Sequence, residues 1–167
     1  VLGSANNPIF DDLTICDGSG SLNNDFLGIS KVQMKLPSTG NGGNTDFTTS
    51  TGSDHGALVD ENPPNTTDYN FSATVGQRDT YNYPACGCTG TVRGVQIVPY
   101  VLKTDAGART ATTVVRQSTT NYDGGTAFTP PASFGYQPQI WETDPSSGPS
   151  AWTASGVDAA EFGVKVV

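Results

Sequence analysis

Few side chains in this sequence are equipped for acid–base or nucleophilic work, and they are scattered. The single histidine, His55, sits in Gly52-Ser53-Asp54-His55-Gly56, beside a serine and an aspartate. A catalytic triad needs its members to converge in space, and neighbours along one extended segment do not converge. A Gly-x-Ser-x-Gly pentapeptide in a strand–turn–helix frame is also missing. His55 therefore reads as a surface histidine. Glu142 and Glu161 are the glutamates near aromatic residues in the C-terminal half. Glycoside hydrolysis requires two carboxyl groups about 5–10 Å apart beside the sugar. Each of these glutamates falls at a strand or loop end, where a solvated acid is the ordinary outcome. The expectation is a non-enzymatic protein with no catalytic residue.

Binding chemistry is sparse as well. Asp17-Gly18-Ser19-Gly20-Ser21-Leu22-Asn23-Asn24-Asp25 gathers oxygen ligands of the kind calcium takes. It lacks the spaced acids and closing glutamate of an EF-hand, so an Asx-rich turn accounts for it, and neither metal nor cofactor is expected. The three cysteines, Cys16, Cys86 and Cys88, cannot all pair within one chain. A bridge from Cys16 to either partner and a set of free thiols are both open readings. Zinc wants four ligands, usually at wider spacing and with histidine. Tyr136, Trp141 and Trp152 could form a platform that stacks on sugar rings. The competing reading has both tryptophans closing the end of a core, since tryptophan is mostly buried. Asn65-Thr66-Thr67 and Asn70-Phe71-Ser72 match the N-glycosylation acceptor pattern.

The elements that would hold these residues follow from composition and period. There are 20 glycines and 11 prolines among 167 residues, and only 14% of the chain is charged. Acids outnumber bases 16 to 8, for a net charge of −8. That balance offers no clustered bases for nucleic acid. No apolar run reaches the 18 or more residues of a membrane helix. Ser, Thr, Asn and Gly supply the polar surface instead, as in Ser38-Thr39-Gly40-Asn41-Gly42-Gly43-Asn44-Thr45. Thr favours strands, and Asn and Gly favour turns.

Alternation of apolar and polar residues is the strongest periodic signal. Val32, Met34 and Leu36 alternate with Lys31, Gln33 and Lys35, which predicts a strand with one buried face. Ile9 to Ile15 predicts an earlier one. Val92 to Lys103 is apolar on both faces and contains Pro99, which marks an edge or a bulge. The turn Thr104-Asp105-Ala106-Gly107 then leads into a returning strand, Arg109 to Arg116, so the two form an expected β-hairpin. Phe134, Tyr136 and Ile140 share a face of a strand running to Glu142. Phe162, Val164 and Val166 alternate in a final strand. Ser155 to Phe162 is the best helical candidate, with Ser155 as N-cap. Thr39 to Val59 and Asp60 to Tyr83 read as two long polar loops of the kind that make contacts. Together these features predict an all-β fold, an antiparallel β-sandwich or jelly roll with long polar loops. Residues 1–27 would be an N-terminal extension or first strand, and residues 28–167 a single β-sandwich domain.

Three stretches carry a family resemblance. The first is Asp60-Glu61-Asn62-Pro63-Pro64 with Asp68-Tyr69-Asn70 and Val75-Gly76-Gln77-Arg78-Asp79-Thr80-Tyr81. The second runs from Gly94-Val95-Gln96-Ile97 to Lys103-Thr104-Asp105-Ala106-Gly107-Ala108-Arg109. The third is Gln139-Ile140-Trp141-Glu142-Thr143-Asp144-Pro145 with Ala151-Trp152-Thr153 and Ala159-Ala160-Glu161-Phe162-Gly163-Val164-Lys165-Val166. Over residues 58–167 the chain resembles a family of virion structural proteins of tailed bacteriophages. The resemblance implies a jelly-roll or β-sandwich domain and brings no catalytic residues. It implies a structural protein of the particle; a short single-domain chain without heptads or repeats then points to an exterior capsid decoration or cement protein, or else to a tail or fibre component that binds a carbohydrate or receptor. The implied partners are other virion proteins, the major capsid protein first, and further copies of the chain, with a trimer the first expectation; nucleic acid and membrane are not among them. An acidic surface suits the exterior, since packaged DNA would repel it. Asp60, Pro63, Pro64 and Tyr69, in the second long loop, are the expected subunit contacts.

Overall fold

The computed structural model describes residues 18, 19, 22–148 and 150–167. The predicted Ile9–Ile15 strand, Cys16 and part of the Asp17–Asp25 loop lie outside the described residues. The chain divides into two units, Val1–Met34 and Lys35–Val167.

In the first unit, the described residues from 22 onward form bends and extended chain without a strand. Phe26 is 91% exposed, Ile29 95%, Val32 100% and Met34 67%. This corrects the expected Lys31–Leu36 strand. The alternation is present, but residues 31–36 form no strand, and Val32 and Met34 stay exposed. Period two specifies a strand only where a neighbour completes the ladder.

Among the described residues, the second unit contains ten short strands: β1 (Thr48–Thr49), β2 (Asn70–Phe71), β3 (Arg78–Tyr81), β4 (Val95–Ile97), β5 (Tyr100–Val101), β6 (Ala111–Gln117), β7 (Thr120–Asp123), β8 (Gly135–Tyr136), β9 (Gln139–Trp141) and β10 (Ala160–Val166). One helix, α1 (Ala154–Asp158), and two 3-10 turns, Gly56–Leu58 and Pro145–Ser147, complete it. The fold is all-β, as its sequence predicts. The main sheet has the antiparallel order β3-β10-β6-β7, and β1-β2, β4-β9 and β5-β8 form two-stranded ribbons.

β10 is the predicted final strand, and it is central to the main sheet. Its partner β6 is buried along Ala111–Val115. β6 turns into β7 through Ser118 and Thr119, with Ser118 at a φ of 55°. This replaces the expected hairpin between Val92–Lys103 and Arg109–Arg116. The Val92–Lys103 stretch breaks at Val98-Pro99 into β4 and β5, because proline cannot donate to a ladder. These two strands pair with β9 and β8 instead. The strand expected to run from Phe134 to Glu142 breaks likewise at Gln137-Pro138. The N-cap lies two residues before the expected Ser155: Thr153 caps the helix, its hydroxyl accepting from Gly156 N at 2.9 Å, and the helix ends at Asp158, short of the expected Phe162, which is in β10. β3 lies inside what reads as a long loop, since Arg78-Asp79-Thr80-Tyr81 has no apolar alternation to announce it.

The core gathers Ile97, Val115, Trp152, Ala160 and Phe162, with Tyr83, Val92, Val95, Tyr122, Trp141 and Val157 packed around them. Trp152 is 2% exposed and donates its indole N–H to the Trp141 carbonyl at 2.8 Å. Its ring lies 6.2 Å from that of Phe162, and Tyr83 meets Phe162 edge-on at 5.5 Å.

Candidate functional site

The register of the main sheet sorts its side chains onto two faces. Tyr81, Phe162 and Val115 stand abreast, as do Asp79, Val164 and Thr113 two residues along, so all six share the core face. Thr80, Gly163 and Val114 define the opposite face, and Glu161 and Arg116 lie there too. The segment 38–58 wraps the outer edge of β3 and touches both faces.

On the core side, His55 meets Asp79. His55 Nδ1 lies 2.9 Å from Oδ1 and 3.0 Å from Oδ2 of Asp79. Oδ2 also accepts the Tyr81 hydroxyl at 2.8 Å. Asn70 Nδ2 donates to the His55 carbonyl at 2.9 Å and to the Tyr81 hydroxyl at 3.2 Å. Asp79 is fully buried, and burial pushes its carboxyl above the usual carboxylate range, against the opposing pull of His55 and Tyr81. Burial also raises the Tyr81 phenol well above its ordinary value. His55 is therefore not the surface histidine that its sequence context suggests: it is 7% exposed. Its loop is held by Asp54, whose Oδ1 accepts from Gly40 N at 2.7 Å and Ala57 N at 3.1 Å.

On the opposite face, Glu161 is the hub. Its Oε2 accepts from Gly43 N and from the Thr80 hydroxyl, each at 2.7 Å, while Oε1 accepts from Arg116 Nη1 at 2.7 Å. At the same sheet's end, Asp123 accepts from Arg78 Nη2 at 2.8 Å and Lys165 Nζ at 2.5 Å. Arg78 foremost, then Lys165, holds the Asp123 carboxyl below its ordinary range. Along the edge of β3, Thr80 N donates to the Asn44 carbonyl at 3.1 Å and Asp46 N to the Arg78 carbonyl at 3.0 Å. The Glu161 hub and the β3 edge bonds fasten the 38–58 segment to the sheet, the Asp123 cluster ties β3, β7 and β10 together, and every carboxylate in them is already engaged.

The carbohydrate platform does not assemble as the sequence suggests. Trp152 is in the core, and Trp141 is half-buried with its indole N–H on the Thr113 hydroxyl at 2.9 Å. Tyr136 is 57% exposed and lies on another ribbon, where it packs on Tyr100 at 4.7 Å; Tyr100 stacks on Phe134 at 5.2 Å. Of the expected subunit contacts, Pro63 and Tyr69 are exposed, and Asp60 and Pro64 are half-buried. Tyr69 meets Phe71 edge-on at 6.0 Å, and both rings reach the surface. Glu142 is exposed, whereas Glu161 is committed to Arg116. Asn65 is exposed, but the Asn70 side chain is spent on His55 and Tyr81. A disulfide joins Cys86 to Cys88, in place of a bridge from Cys16, and the backbone N–H of Cys86 is held by Asp158 at 2.6 Å.

No family model, curated protein or solved structure matches this chain. Among the described residues, no group of three His, Cys, Asp or Glu side chains converges as a metal would need, and no helix is long and apolar enough to cross a membrane. The sequence did not announce the His55–Asp79–Tyr81 cluster, because its members lie on a loop and a strand with nothing local to couple them. What the surface does present is apolar. Phe26, Ile29, Val32 and Met34 are exposed in one unit; Phe71, Val75, Tyr136 and Ile140 are exposed in the other.

Proposed function

We propose that this chain is a non-enzymatic structural subunit of a tailed-bacteriophage particle, a β-sandwich or jelly roll carried on the exterior as a capsid decoration or cement protein. The observation that carries the reading is the distribution of polarity. On the main sheet, His55 and Asp79 are buried together and Glu161, Arg116, Arg78 and Asp123 are taken up in ion pairs, while large apolar side chains stay outside. Ile140 is 71% exposed, Val75 67% and Val32 100%. In an assembled particle, neighbouring subunits would cover such side chains. The family resemblance over residues 58–167 names the kind of neighbour. The net charge of −8 suits a surface that faces away from packaged DNA.

Mass spectrometry of purified particles tests this. The reading expects the chain at roughly capsomer-scale copy number, in the hundreds. A handful of copies would move it to the tail, and absence from the particle would overturn it.

The exposed Tyr136, with Tyr100 and Phe134 behind it, favours a second reading as a receptor- or carbohydrate-binding tip. Stacked rings at a surface suit the apolar face of a sugar. A glycan array on the purified chain decides it: binding lost in Tyr136→Ala supports the tip, and an empty array removes it.

A further inference from the structure

We propose that the Cys86–Cys88 disulfide is a thiol-exchange site: Cys88 takes up an incoming thiolate, and Cys86 is the sulfur it displaces. The site is independent of the structural-subunit reading. Cys86-Gly87-Cys88 closes a bridge over a single intervening residue. On the chain-entropy account, a bridge stabilises by constraining the unfolded chain, and the gain grows with the loop it closes. A separation of two positions restrains the unfolded chain very little. Holding the fold together is therefore not what this bridge is suited to.

The surroundings distinguish the two sulfurs. Cys86 is 5% exposed, whereas Cys88 is half-buried, and Gly87, Thr89 and Gly90 beside it are exposed. Gly87 has a φ of 62°, the left-handed region that glycine enters at no steric cost, which allows so tight a turn. Cys86 is anchored, because its backbone N–H donates to Asp158 Oδ1 at 2.6 Å, at the end of α1. The Cys88 N–H donates to Cys86 Sγ at 3.1 Å. That donor is aimed at the sulfur on which charge develops as the bridge opens, and a hydrogen bond to an ionised acceptor is stronger than one to a neutral acceptor. Exchange depends on access to the attacked sulfur and on how well the other sulfur leaves, and this turn supplies both.

The step needs no added oxidant. An incoming thiolate attacks Cys88 Sγ and forms a new S–S bond there. The Cys86–Cys88 bond breaks, and its electron pair leaves on Cys86 Sγ. The Asp158 carboxylate on the Cys86 amide repels that charge, so the sulfur is quenched by a proton from water. One disulfide is consumed and one mixed disulfide is made. The ligand is a thiolate able to reach Cys88: a low-mass thiol, or the third cysteine of the sequence, Cys16, on a second copy.

The full chain, exposed to reduced glutathione under argon, quenched in acid and alkylated with iodoacetamide, tests this by intact mass and peptide mapping. The expected product carries glutathione on Cys88 and the alkyl group on Cys86, with Cys88 adducts outnumbering Cys86 adducts by at least about tenfold. Oxidised and phosphine-reduced chains should melt within about 6 °C of each other. Glutathione on Cys86, equal labelling of the two, or a native bridge still intact when the urea-unfolded chain is fully labelled would each overturn the proposal. So would a larger loss of melting temperature on reduction, which would make the bridge a structural staple. A parallel sample without glutathione distinguishes the sources. Copies linked from Cys16 to Cys88, and no longer linked in Cys16→Ser, assign the thiol to a second copy; adducts formed only with glutathione assign the site to low-mass thiols.

Discussion

His55 and Asp79 are 24 positions apart, yet the imidazole Nδ1 sits 2.9 Å from the carboxylate and both residues are buried. The contact ties the Gly56–Leu58 turn to the first strand of the main sheet. Asp79 cannot rotate toward water, so its charge depends on His55 and on Tyr81.

Removing one partner from a buried pair leaves an uncompensated charge, at a cost of about 3–5 kcal/mol. His55→Ala should therefore lower the melting temperature by roughly 6–20 °C, at about 2–4 °C per kcal/mol for a chain of this size. The double variant His55→Leu, Asp79→Leu should recover most of the loss, because it removes the charge together with its partner. Calorimetry of the two variants checks both; a His55→Ala protein as stable as the parent would show that the pair carries no such weight.

The ion pairs should separate by burial. Arg116 and Glu161 are 18% and 16% exposed at their side chains, and the carboxylate also serves Gly43 and Thr80. Arg116→Ala should cost about 1–3 kcal/mol. Arg109 and Asp105 are 42% and 46% exposed, so Arg109→Ala should stay within about 0.5 kcal/mol of the parent. Urea unfolding of both variants measures the contrast.

Gly163 is the close-approach point of the main sheet. A Cβ there would stand 1.9 Å from the Asp79 carbonyl oxygen and 2.7 Å from Thr80 Cα. Neither atom is a flexible side-chain tip, so the strands must separate. Gly163→Ala should destabilise by about 2 kcal/mol or more, whereas Gly125→Ala, with nothing within 4 Å, should change little. Equal melting curves for the two would contradict this packing.

Acid should loosen the Arg78–Asp123–Lys165 cluster. The folded-state pKa of Asp123 is depressed, so its contribution is complete above the ordinary aspartate value near 3.8 and is lost as pH falls through the lower folded value. Asp79 has the opposite sign. Its folded-state pKa is raised, so protonating it favours the folded chain as pH falls toward 3.8. Melting temperature followed from pH 6 to pH 2 should turn downward below about pH 4, and Asp123→Asn should flatten that lower limb.

How much of this was legible in the sequence depended on whether the signal was local. Phe162, Val164 and Val166 announced β10, because one buried face repeats every two residues. Pro99 and Pro138 sit where the strands expected to run from Val92 to Lys103 and from Phe134 to Glu142 break, a cost that apolar spacing alone does not register. β3 was invisible, since Asp79 and Thr80 are polar residues buried by partners far along the chain, and no local pattern encodes a partner. Trp152 was open to two readings, and packing against Phe162 places it in the core. Lys31–Leu36 had the right period for a strand, yet its apolar side is exposed, because period alone does not bury a face.

Density for this chain on an intact particle tests the central claim most directly. On the proposed reading, cryo-electron microscopy of purified particles that contain it should show the β-rich body on the outer capsid surface. A particle with no density for the chain, or with the chain lining the DNA-filled interior, would contradict the account.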